Sequence, residues 1–263
     1  MFGLKCTKHV CLYVVKVPHP SPPAHKLFII SIWLFFLATG LTTMKDWLVS
    51  IGLREDLIDF DVHARESLAH YARACTDITF SFPFGKQELL GVAARGCYDL
   101  KAHMESSGKS LEYFDEETKK KFIPHVIEPS CGVDRLFLAL IISAYAEDEI
   151  GGEKRTFLKF HPSIAPIKVA VFPLVKNKPA IVKKSRDIFL NLQKRYNVAW
   201  DTSGAIGRRY RRADEAGTPF CITVDFDSVE DDSVTVRYRD STEQKRIPVL
   251  DLYSFLGKEI DGF

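Results

Sequence analysis

The run Glu128-Pro129-Ser130-Cys131-Gly132-Val133-Asp134-Arg135 is the densest concentration of chemistry-bearing residues in the chain. It sets one carboxylate ahead of a Pro/Gly turn and one guanidinium a turn into the apolar stretch that follows. A helix N-terminus offers free N–H groups and favours anions. Glu128 at a strand end can hold an ammonium, and Arg135 can grip a phosphate bidentately. The same pattern also fits an internal Glu–Arg ion pair beneath a helix cap. A second object is Glu88, within the otherwise apolar run 85–94 and followed by Arg95 and Asp99. A carboxylate there calls for a cation, a hydrogen-bond donor or an exposed strand face. The third is Arg208-Arg209-Tyr210-Arg211-Arg212, four guanidiniums around one aromatic. That is a footprint of phosphate contact beside a stacking platform. Asp214 and Glu215 close behind can neutralise part of it, which leaves a solvated basic face as the plainer reading.

These objects need strands and helices to position them. Residues 65–75 have apolar side chains at helical spacing, 78–84 alternate like a strand, and 88–94 form a short apolar strand. Residues 101–121 are charged and read as a solvated helix end and loop. A strand over 122–127 runs into the turn at 128–132, and 133–145 is apolar nearly all round, the mark of a helix buried on most faces. Residues 147–154, with Gly151-Gly152, read as a linker, and 162–166 as a domain boundary. Beyond it the pattern is β-α-β-α-β-β-α. Strands fall at 168–174, 197–200, 220–226 and 234–238, and an acidic loop at 230–232 joins the last two. Helices fall at 179–196 (Pro179 in the first position), 207–216 (stopped by Gly217) and 249–260. The fold class is α/β (α+β), with a small mixed sheet in the last domain.

The formal net charge of +2 is a cancellation. Residues 1–45 hold five Lys and neither Asp, Glu nor Arg; 46–161 hold 14 basic against 20 acidic groups, and 162–263 hold 17 against 14. Ordinary globular composition excludes a disordered, collagenous or disulfide-stapled chain. The six cysteines form no C-x-x-C pair and read as reduced, cytoplasmic thiols. His63 and His70 lie two turns apart in the expected helix, too far to share a metal, so no metal centre is expected. Residues 27–44 carry no charge. They read as a signal or anchor, as a buried helix, or as sequence foreign to the functional protein; a membrane contact through them is not expected.

In this order the three objects resemble the single-chain, class II glycyl-tRNA synthetases. The matching stretches are AHYARACTDITFSFPF (69–84), GKQELLGVAARGCYDL (85–100), IEPSCGVDR (127–135, resembling class II motif 3) and GAIGRRYRRADEAGTPFCITVDF (204–226). Residues 165–174 and 234–242 are similar to the family's C-terminal anticodon-binding domain. The resemblance implies a partial class II antiparallel-sheet catalytic domain over 46–161, an anticodon-binding domain over 162–263, and an atypical segment over 1–45. It implies that Glu128, Pro129 and Ser130 line a glycine pocket and that Glu88, Leu89, Gly132, Val133, Asp134 and Arg135 meet ATP, with Mg2+ carried by the nucleotide. Glu128 and Arg135 would be catalytic, and Arg208–Arg212 with Tyr210 would face tRNA(Gly). Full-length members are homodimers. The family's motifs 1 and 2 lie N-terminal to the stretch that begins here at Trp47, and residues 1–45 supply no motif 2 Arg. Gly96 and Cys97 also stand where the family more often has Thr and Asp. The expectation is a glycine–tRNA ligase recorded as a truncated chain, with a non-catalytic tRNA-binding derivative as the alternative.

Overall fold

The computed structural model describes residues 13–15 and 25–262. Cys6, Cys11 and the prolines at 18–23 lie outside the described residues. The chain divides into two compact units, 1–139 and 140–263.

The first unit is an antiparallel sheet with a helix against one face. Its elements are β1 (Tyr13–Val15), α1 (His25–Ser50), β2 (Ile58–Val62), β3 (Ala74–Phe82), β4 (Gly85–Gly96), α2 (Tyr98–Ser107), the small hairpin β5 (Tyr113–Asp115) and β6 (Lys120–Phe122), and β7 (His125–Cys131). The sheet order is β1-β7-β4-β3-β2. Successive side chains on a strand point to opposite faces, and the sequence obeys this. Ile78, Phe80, Leu90, Val92, Ala94 and Ile127 are buried on one face. Gly40 of α1 sits against Val92 and Ile127, and Leu37 and Leu48 of the same helix are buried. From Leu37 onward, therefore, the uncharged N-terminal stretch continues as a core helix. Among the described residues no helix is long and apolar enough to cross a membrane.

Three local expectations are overturned in this unit. Residues 65–75 form a single 3-10 turn (Arg65–Ser67) and then enter β3, so the apolar spacing there serves a turn and a strand. The strand expected over 122–127 runs instead over His125–Cys131, Phe122 ending the hairpin strand β6, and Pro129 lies inside it opposite Val92. Proline is tolerated there because β1 pairs with β7 only at 125–127, which leaves 128–131 at an edge among the described residues. The helix that follows, α3 (Val133–Ala144), is not buried on most faces: Val133 and Phe137 are 65% and 64% exposed.

The second unit opens with a hairpin, β8 (Tyr145–Ile150) and β9 (Glu153–Leu158), where a linker was expected. Gly151-Gly152, both at positive φ, make the two-residue turn that such strands require. Then follow β10 (Val169–Pro173), α4 (Pro179–Leu192), β11 (Val198–Trp200), α5 (Ile206–Glu215), β12 (Phe220–Val224), α6 (Phe226–Asp231), β13 (Ser233–Tyr238), β14 (Gln244–Pro248) and α7 (Leu252–Leu256). The sheet order is β11-β10-β12-β13-β14; β10 runs parallel to β11 and β12, and the other pairs are antiparallel. The mixed sheet agrees with the sequence reading. The acidic stretch before β13 is the end of a helix rather than a hairpin loop, capped by reciprocal Asp225–Ser228 hydrogen bonds.

A buried ionic cluster ties the hairpin to the sheet. Asp214 on α5 accepts from Arg155 of β9 at 3.0 Å and, bidentately, from Arg237 of β13 at 2.8 and 2.9 Å. Arg155 and Asp214 are each 1% exposed. Removing the one carboxylate strands two guanidiniums out of water. Asp214→Ala is expected to cost the second unit about 3–5 kcal/mol in urea unfolding. Arg212→Ala, an exposed ion pair on the same helix, should cost about 1 kcal/mol or less.

Candidate functional site

The second face of the first unit's sheet is polar, and the register explains why. Asp77, Gly91 and Ser130 lie in one cross-strand row, and Cys75, Ala93 and Glu128 in the next. Directly opposite residues share a face. The floor of this face is therefore Gly91 and Ala93, with Asp77, Glu128 and Ser130 around it. A β-bulge completes the arrangement. Ile78 pairs with Leu90 but Thr79 pairs with Glu88, so Leu89 is an extra residue on β4. Strict alternation would put Glu88 on the face of Leu90. The bulge sends it to the polar face instead, while Leu89 and Leu90 are both buried. A Cβ built on Gly91 would lie 3.1 Å from Asp77 Oδ1 and 3.5 Å from Glu88 Oε1. Glycine thus keeps open the space between two carboxylates.

Glu128 and Arg135 do not pair with each other. Arg95 Nη1 donates to Glu128 Oε2 at 2.6 Å, while its Nε and Nη2 hold both oxygens of Asp99, and its guanidinium lies over the Tyr71 ring. The ion pair that the sequence left open for Glu128 therefore exists, but with Arg95. Arg135 Nη1 donates to the Glu88 carbonyl at 2.7 Å and stands 3.9 Å from its carboxylate. Both side chains are 54% exposed, so Arg135 is the accessible cation beside Glu88. Leu89 offers only backbone: its carbonyl accepts from Cys131 Sγ. Gly132, Val133 and Asp134 open α3 and are solvent-facing.

The five residues 208–212 have separate surroundings on α5. Arg209 is 3% exposed and spends its guanidinium on the Gly204 and Pro173 carbonyls. Tyr210 donates to or accepts from Thr223 and lies beneath Arg237, so its ring belongs to the packing of the unit. Arg211 bonds the Lys154 carbonyl, and Arg212 is paired with Asp201. Only Arg208 of the five is exposed with no side-chain hydrogen bond or ion pair among the described residues; its backbone N–H donates to the Ala205 carbonyl. A shallow groove of about 490 Å³ beside α4, lined by Lys176, Pro179, Lys183 and Arg186, is a second basic surface that sequence reading missed. Its signal was the spacing of Lys183 and Arg186 on one helix.

Residues 168–259 match the model of the anticodon binding domain. Over 218 residues the chain is 49% identical to a glycine--tRNA ligase from Bacillus cereus, covering 83% of this chain and 47% of that one. A ligase from Caldanaerobacter subterraneus is 51% identical over 215 residues (82% and 46%), and one from Geobacillus kaustophilus is 50% identical over 217 (82% and 46%). The chain is a homologue of glycine–tRNA ligases. It spans about half the length of the curated relatives it matches.

Arg95 is the member of the homologous sheet that the sequence named without a role. Hydrogen bonding to Asp99, then to Glu128, raises its pKa, and it holds the Asp99 carboxyl below the ordinary carboxylate range. A folded-state value below the unfolded one, about 3.9, stabilises the fold above that pH; the contribution fades as pH falls through the folded value. Arg95→Ala should therefore return Asp99 toward its ordinary titration and cost about 1–3 kcal/mol, since two carboxylates lose their donor. Arg135→Ala should cost about 1 kcal/mol or less. Equal costs in urea unfolding would contradict the assignment of Glu128 to Arg95.

Proposed function

We propose that this chain serves glycine–tRNA ligation, with the polar sheet face of the first unit taking glycine and ATP and the second unit taking the anticodon arm of tRNA(Gly). The observation that carries this reading is the bulged sheet face itself. It gathers Glu88, Glu128, Ser130 and the Gly91 floor, in a chain about half of whose residues match those of glycine--tRNA ligases over the shared stretch. Cytoplasmic action follows from the reading.

Each residue then has a task set by its surroundings. Arg95 engages one oxygen of Glu128, and the other is turned to an ammonium group. Ser130 stands on the same face two residues along. Glycine is selected by exclusion, since any larger amino acid must place a side chain against a closed floor. The glycine carboxylate oxygen bonds to the α-phosphorus as the bond to the pyrophosphate oxygen breaks, so no enzyme nucleophile is consumed. The glycyl group then passes to a ribose hydroxyl at the tRNA 3′ end, releasing AMP. Catalysis of this kind is positioning and charge neutralisation. Arg135 meets phosphate charge, and the exposed Glu88 carboxylate is an oxygen donor of the kind that suits a nucleotide-borne Mg2+. On the tRNA side the proposal narrows to Arg208, with Arg211 and Arg212 released from their carboxylate partners on binding; Arg209 and Tyr210 support the helix from within.

A second reading, tRNA binding without adenylate formation, is favoured by one observation: Arg135 is the only Arg of the first unit beside Glu88 in the described structure, and residues 1–45 contain none. The two are separated by binding of glycine and ATP to the polar face, which the first reading requires and the second does not. Glycine-dependent ATP–pyrophosphate exchange tests a different point. The 263 residues alone are expected to give background exchange, because no motif 2 Arg is present to clamp the α-phosphate; turnover above background would overturn that. Both readings expect tRNA(Gly) binding that weakens steeply with salt. Arg208→Ala should lower the slope of log affinity against log salt by about 1. Absence of tRNA binding at low salt would refute both.

A further inference from the structure

The turn that replaces the expected helix at 65–75 has a consequence for His63. It stands immediately after β2 and not on a helix, and its N–H donates to the Cys75 carbonyl, so the ladder with β3 continues through it. Cys75 and Asp77 are two apart on β3 and therefore project from one face. The three side chains converge. His63 Nε2 is 2.8 Å from Asp77 Oδ2, Cys75 Sγ is 3.8 Å from Asp77 Oδ1, and all three ligand atoms lie within 4.8 Å of one another. Neither histidine spacing nor a C-x-x-C pair announced this group, because its members come from two strands and a register.

We propose that His63, Cys75 and Asp77 form a binding site for one Zn2+-class transition-metal ion at the rim of the polar sheet face. Imidazole nitrogen, thiolate sulfur and carboxylate oxygen are the ligand types that zinc accepts together, with the fourth position of the tetrahedron left to water. The required geometry is near. Zinc–ligand bonds of about 2.0–2.3 Å set neighbouring ligand atoms roughly 3.3–3.6 Å apart. The sulfur–carboxylate distance already approximates this, and the His63–Asp77 pair must open by about half an ångström, replacing its hydrogen bond with two metal bonds. Oxygen-only cations such as Mg2+ do not suit a set that is two-thirds nitrogen and sulfur. Asp77 is mostly buried, and its surroundings add negative charge: Asp61 is its cross-strand partner on β2 in the same row, and Glu88 lies across the Gly91 floor. A divalent cation would offset three carboxylates crowded on one face. It would also clamp β2, the edge strand, to β3.

The site is independent of the ligase reading and is tested without substrates. The purified 263-residue chain, freed of metal, is titrated with Co2+ and then challenged with Zn2+. The expected result is one equivalent of Co2+ with a near-ultraviolet sulfur-to-cobalt band, displaced by Zn2+. Cys75→Ser should abolish the band and weaken binding by about a hundredfold or more, and His63→Gln should do the same to affinity while keeping some sulfur absorption. Cys97→Ser, a thiol outside the group, should change nothing. Far-ultraviolet circular dichroism of the metal-free variants separates loss of ligand from loss of fold. If the wild-type chain gives no band at saturating Co2+, the proposal fails whatever the variants do. If a band appears and survives both Cys75→Ser and His63→Gln, the metal is held elsewhere and the proposal also fails.

Discussion

Everything in the first unit depends on the two-residue period of β3, β4 and β7, and on the bulge at Leu89 where β4 breaks that period against β3. The apolar face formed by Ile78, Leu90, Val92 and Ile127 is what α1 covers, and burial of such side chains supplies the favourable energy of this layer. The opposite face is free to be polar only because its partner is paid for. Leu89, the extra residue of the bulge, shifts Glu88 onto that face without exposing Leu90. A one-residue change of register would invert every side chain in the strand. Here the inversion is confined to the segment before the bulge, and it is what brings Glu88 beside Gly91 and Asp77.

The second unit meets a different constraint. Its sheet is held to the preceding hairpin by buried charge, with Asp214 serving Arg155 and Arg237 at once. This alters what the arginine-rich helix can offer to a polyanion. Of the four Arg and one Tyr on α5, Arg209 and Tyr210 work inside the unit, and Arg211 and Arg212 are already partnered by Glu153 and Asp201. Net positive charge in residues 162–263 still favours a nucleic-acid partner. On the proposed reading the surface α5 can offer is narrower than the residue string suggests; Lys183 and Arg186 line a separate groove on α4.

Much of this was legible in the sequence, for identifiable reasons. Alternation announced β3, a short apolar run announced β4, Pro179 and Gly217 marked helix ends, and the three charged objects pointed to the homologous family before any fold was known. What was not legible depends on pairing. Nothing local says that Glu128 faces Arg95 rather than Arg135, since that follows from the strand order β7-β4. The bulge at Leu89 is invisible without its partner strand. Apolar spacing at 65–75 mimicked a helix, but the segment forms a turn and the start of a strand, and none of its residues is buried. The Gly151-Gly152 turn carried its hairpin signal in plain sight, but charged flanking strands masked the alternation that would have supported it. Val133 and Phe137 are apolar by sequence and exposed in the structure, so composition alone overstated the burial of α3.

The central claim is that the bulged polar face is where glycine and nucleotide meet. It is tested most directly by mapping a non-hydrolysable glycyl-adenylate analogue onto the chain by amide chemical shifts. The account expects the largest changes at Gly91, Ala93, Glu128 and Ser130, with Arg135 and Gly132 following, and little change in β10 to β14. Saturating analogue that leaves those amides unmoved, or that perturbs only the second unit, would contradict it.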